Sequence, residues 1–114
     1  MRFIFLLFLT SLVLFTSCTS TQQNIKNELE RECGCSRVEM TEEKGPGIPY
    51  VTYSMVNPKT TQYVKESSRL FFHLIEHVSG FCELDKKIVL KYVDTKGSEL
   101  ASYVYHKCQI QFEF

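Results

Sequence analysis

Between residues 59 and 78 the chain reads as one amphipathic helix. At 100° per residue, Tyr63, Val64, Leu70, Phe71, Phe72, Leu74, Ile75 and Val78 fall on one broad arc, while Gln62, Lys65, Glu66, Arg69, His73, Glu76 and His77 fall on the opposite one. That pattern predicts a helix lying on a sheet with its outer side wet, closed by Ser79-Gly80. On either side the hydrophobic period shortens to two. Residues Cys35 to Glu43 alternate, with Val38 and Met40 in β spacing. Lys44-Gly45-Pro46-Gly47 is a turn signal, and the segment from Ile48 to Val56 is rich in Tyr, Val and Thr. Together they predict a β-hairpin, which Asn57-Pro58 separates from the long helix. Lys87 to Asp94 and Leu100 to Phe114 predict a second hairpin around Asp94-Thr95-Lys96-Gly97. In its last strand Val104, Cys108, Ile110, Phe112 and Phe114 alternate with Tyr105, Lys107, Gln109, Gln111 and Glu113. The first set is expected to face the core and the second to face away. A shorter helix, from about Asn24 to Glu32, has apolar positions only at Ile25 and Leu29 and stops at Gly34.

The element order is helix, hairpin, helix, hairpin (αββαββ). This predicts an α+β two-layer sandwich, a four-stranded antiparallel sheet with both helices on one face. Strand order is open at this point. The order suggests a repeat of topology, although no residue-by-residue repeat accompanies it.

Ahead of this domain, Met1-Arg2 gives a short positive start. Phe3 to Phe15 is apolar apart from Thr10 and Ser11, and small Thr16 and Ser17 stand directly before Cys18. The apolar run is shorter than the roughly 20 residues a membrane span needs, and it passes straight into polar Thr19 to Gln23. The segment around Cys18 resembles the lipobox of bacterial lipoproteins, with Phe15 where that family usually has Leu. The resemblance implies removal of residues 1–17 as a signal peptide and acylation of Cys18, palmitate included. Residues 18–23 would form a lipidated tether and 24–114 a single domain. It also implies a place in the bacterial cell envelope, anchored to a membrane by lipid, with the outer membrane favoured.

Removal of Met1 to Ser17 leaves 97 residues, enough for one domain that buries somewhat over roughly 60% of its unfolded surface. Without Arg2 the chain has 12 basic and 13 acidic residues, so no strong field draws in polyanions. Nucleic acid is not expected as a partner. Four cysteines remain after Cys18, namely Cys33, Cys35, Cys82 and Cys108, an even number in a compartment that permits disulfides. If the turn at Asp94 to Gly97 closes the second hairpin, opposed residues have numbers adding to about 191, and Cys82 with Cys108 comes close to that. A Cys82–Cys108 bridge is therefore preferred, with Cys33 and Cys35 either free or joined in a small loop. Pairing of Cys82 with Cys33 or Cys35 is the alternative if the strand does not reach back to Cys82.

Three features bear on chemistry. His73-Leu74-Ile75-Glu76-His77 resembles the H-x-x-E-H helix of inverzincin peptidases, in which two histidines on one helical face hold zinc and the glutamate activates water. That family needs a further carboxylate ligand far downstream in a larger domain, and only 37 residues follow His77. The helical pattern alone places His73 and His77 on a solvated polar arc. Cys33-Gly34-Cys35 has the donors for a soft metal or for a redox dithiol. Finally, a sheet face turned away from the helices would collect Tyr103, Tyr105, Lys107, Gln109 and Gln111 from the last strand, with Lys87 and Lys91 from the partner strand and Tyr50, Thr52 and Ser54 from the first hairpin. Tyrosines among polar side chains suit a binding surface. No catalytic constellation and no need for a cofactor emerges. The expected function is a non-enzymatic binding or structural module with an envelope protein as partner; the alternative is metal handling through His73 with His77 or Cys33 with Cys35.

Overall fold

The structure, a computed structural model, describes residues 20–44 and 47–113, leaving out the side chains of Ser20 and of 110–113. The proposed signal peptide and Cys18 lie outside the described residues. Helix α1 runs Ser20–Glu32 and is followed by strands β1 (Arg37–Glu43) and β2 (Tyr50–Val56). Helix α2 spans Tyr63–His77, and β3 (Lys87–Val93), β4 (Glu99–His106) and β5 (Gln109–Glu113) complete the chain. Helix α1 starts four residues before the sequence pattern suggests, so Ser20 to Gln23, expected as tether, are helical. The reason is tertiary: the Tyr53 hydroxyl donates to the Gln22 carbonyl at 3.0 Å, holding that first turn onto the sheet.

One mixed sheet has the order β1-β2-β3-β4-β5. β1 and β2 form the expected antiparallel hairpin, Val38 opposite Met55 and Met40 opposite Tyr53. β3 and β4 form the second, with Leu90 opposite Tyr103. The expected all-antiparallel sheet is corrected at its centre, where β2 and β3 run parallel, Tyr53 beside Leu90. Helix length explains it. Fifteen helical residues reach about 22 Å at 1.5 Å each, and a seven-residue strand reaches about 23 Å. α2 thus carries the chain back to the end where β2 began, and the next strand repeats its direction, as in any βαβ unit.

The core is one cluster that joins Ile25 and Leu29 of α1 and Leu70 and Leu74 of α2 to alternate residues of the central strands. Those are Val51, Tyr53 and Met55 on β2, and Ile88, Leu90 and Tyr92 on β3. Phe71 stacks on Tyr105 with ring centroids 4.2 Å apart, and Tyr63 lies 5.1 Å from Tyr92. Between β3 and β4, the Asp94 carboxylate accepts the backbone N–H groups of Lys96 and Ser98. Gly97 supplies the positive φ, +86°, that closes this loop.

The segment expected as one long last strand is two. Lys107 and Cys108 both take positive φ, 50° and 64°, the pattern of a type I′ two-residue turn, and β5 folds back on β4. Cys108 is therefore in a turn and not on a coreward strand face. It is bonded to Cys82, which lies in the turns between α2 and β3. The preferred pairing is the one found, although neither cysteine belongs to the β3/β4 ladder from which it was argued.

Candidate functional site

Along the seam between the helices lies a polar cluster. From α2, Arg69 and His73 meet the Glu28 and Glu32 that α1 presents one turn apart, with Glu66 paired to Arg69 and His77 beside His73. Arg69 donates to the Glu32 carbonyl at 2.7 Å, capping the last turn of α1, and pairs with both the Glu32 and Glu66 carboxylates. His73 Nε2 lies 2.8 Å from Glu28 Oε2, and the His77 ring packs 4.3 Å from that of His73. The hydrogen bond to His73 holds the Glu28 carboxyl below the usual carboxylate range. Desolvation opposes it, and the charges on Arg31, His73 and His77 add to it.

A carboxyl depressed by folding contributes stability above its unfolded titration range and loses it as pH falls through its folded one. The stability difference between the native chain and Glu28→Gln should therefore shrink below about pH 4 in urea titrations. A difference that stays constant from neutral pH down to about pH 3 would remove Glu28 from the clasp.

This arrangement bears directly on the zinc-helix resemblance. His73 is engaged across the seam by Glu28, while Glu76, the residue that would activate water, stands 74% exposed with its carboxylate 3.9 Å from His77. Among the described residues no group of three or more His, Cys, Asp or Glu is placed to hold a metal ion. The second metal candidate is held in oxidised form. Cys33 and Cys35 are bonded to each other, and ligation needs free thiolates.

The tyrosine surface is corrected as well. Tyr103 and Tyr105 are 2% and 3% exposed and belong to the core, while Lys107 stays exposed in the β4–β5 turn. Alternation told which residues share a face but not which face is inside. The expected phase was set by Cys108 and the residues beyond it, which the turn detaches from β4. Lys87 and Lys91 do alternate with the coreward Ile88 and Leu90, as do Tyr50, Thr52 and Ser54 with Val51 and Tyr53. The expected surface thus divides: Tyr103 and Tyr105 leave it for the core, Lys107 leaves the strand for the turn, Gln109 is exposed at the start of β5, and the side chain of Gln111 lies outside the described residues.

An apolar band that sequence reasoning assigned to the core is instead in solvent. Val64 is 57% and Phe72 63% exposed on α2, and Ile75, three residues beyond Phe72, is also exposed. Beside Val64 an open groove of about 520 Å³ continues over Tyr63, Leu100, Ala101 and Tyr103, with Leu100 also exposed. The signal was present in the sequence. Eight apolar residues spread over roughly 200° of helix, about twice the stripe a helix needs to sit on a sheet.

Compared with protein-family models, with curated proteins and with solved structures, the chain matches none. No helix among the described residues is long and apolar enough to cross a membrane.

Proposed function

We propose that this chain is a lipid-anchored module of the bacterial envelope that binds a partner protein through the apolar flank of α2. The observation that carries the reading is the exposed band of Val64, Phe72 and Ile75 continuing into the groove at Leu100. Large apolar side chains grouped on one flank, and not scattered, are the usual mark of a docking surface. With both helices on one sheet face, the α2 flank turned away from α1 would stay uncovered. Among the described residues the opposite sheet face presents Thr52, Ser54 and Lys91 beside Val89 and Val104, all half-buried, and its valines are less exposed than Phe72.

The anchor rests on Met1 to Ser17 and on Cys18. Cys18→Ser should abolish incorporation of labelled palmitate and leave the full-length chain uncleaved. A native chain without acyl mass on Cys18 would sink the lipoprotein reading.

The docking surface is tested by a photo-activatable side chain placed at Phe72, with Lys91 on the other sheet face as control. In intact envelopes position 72 should give one discrete protein adduct and position 91 none. Adducts to lipid alone, or equal labelling from both positions, would overturn the protein-partner reading.

A further inference from the structure

We propose that the Cys33–Cys35 disulfide is a thiol–disulfide exchange site, in which an incoming thiolate attacks the Cys35 sulfur and Cys33 departs. Three observations distinguish this pair from Cys82–Cys108. First, it closes a loop of minimal length, sequence separation 2 against 26, so it ties no two elements together and the fold has no need of it. Gly34 makes the link at φ +61°, with open space where a side chain would stand, so the segment over the disulfide is uncovered.

Second, the two sulfurs are unequal. Cys33 is 4% exposed and packed in the core, whereas Cys35 is partly exposed between exposed Gly34 and Ser36. A shallow groove lined by Glu30, Cys35, Ser36 and Arg37 leads to it. Access selects Cys35 as the sulfur attacked. Third, the backbone N–H of Cys35 donates to Cys33 Sγ at 3.2 Å. That donor stabilises negative charge on the sulfur that has to leave.

The step balances without a further reagent when the substrate is a dithiol. Its first thiolate forms a bond to Cys35 Sγ. The electron pair of the Cys33–Cys35 bond leaves on Cys33 Sγ, which takes a proton from water. The second substrate thiolate then attacks its own sulfur in the mixed disulfide and expels Cys35 as thiolate, which is protonated in turn. The substrate loses two electrons and two protons to become a disulfide, and Cys33 and Cys35 gain them. The substrate class is a small or protein-borne dithiol, and the reverse reaction reduces a disulfide.

Glutathione is a sufficient probe. The purified protein, equilibrated in buffers of graded reduced and oxidised glutathione, is alkylated and its peptides mapped by mass. Cys33–Cys35 should open at a glutathione ratio at least tenfold less reducing than Cys82–Cys108, with the circular dichroism spectrum unchanged. Opening of both pairs together, or of Cys82–Cys108 first, would overturn the proposal. Single-cysteine variants then test the direction of attack. Cys33→Ser should form the mixed disulfide with glutathione at Cys35 at least tenfold faster than Cys35→Ser forms it at Cys33. Equal rates, or the reverse order, would refute the assigned roles even if the pair is reducible.

Discussion

Replacing Cys82 and Cys108 together by serine should lower stability by about 3.5 kcal/mol, the loop-closure entropy expected for a bridge spanning a sequence separation of 26. For a domain of this size that corresponds to a fall in melting temperature on the order of 15–25 °C. The bridge joins the turns after α2 to the tight β4–β5 turn, so its loss also frees a hairpin whose Lys107 and Cys108 hold an unfavourable left-handed backbone. Replacing Cys33 and Cys35 by serine removes a crosslink worth only about 1 kcal/mol by the same relation. Thermal denaturation of the two double variants compares them directly. Similar shifts in both would mean that chain entropy is not what the long bridge contributes.

Tyr103→Ala should be the most damaging single change in the last hairpin, at about 3–5 kcal/mol, the range for truncating a large buried ring. Tyr103 is 2% exposed, lies opposite Leu90 on β3 and meets the Tyr92 ring edge-on at 6.4 Å. A loss of that size is a large fraction of what holds a small domain together. Phe72→Ala, by contrast, removes a ring of similar volume that is 63% exposed, and its effect should stay within about 0.5 kcal/mol. The pair is measured by urea unfolding. A neutral Tyr103→Ala would mean that β4 presents its other face to the core, and the tyrosine surface expected from alternation would return.

That contrast shows where local pattern stops being informative. The strand expected from Leu100 was legible as far as His106, and the amphipathic helix expected over 59–78 is present over Tyr63–His77. Phase was not legible. Which side of β4 lies inwards depends on Phe71 stacking on Tyr105, a contact between residues 34 positions apart. The same holds at the helix seam. His73 and His77 were visible as one polar arc, but the Glu28 that engages His73 lies 45 positions earlier on a different element.

The sequence by itself determined the α+β class, the two hairpins, and the long helix with its turn signals. These follow from local causes: side-chain period and the backbone preferences of Gly and Pro. The Cys82–Cys108 bridge was favoured from a register that neither cysteine joins, and the fold closes it through the β4–β5 turn instead. Only the tertiary structure decided that β2 and β3 run parallel, that Tyr103 and Tyr105 are core, and that Val64 and Phe72 are surface. Each of these depends on how far one element extends over another. A helix as long as its strands returns the chain to where β2 began, and a helix apolar over more of its circumference than the sheet can cover leaves the remainder in water.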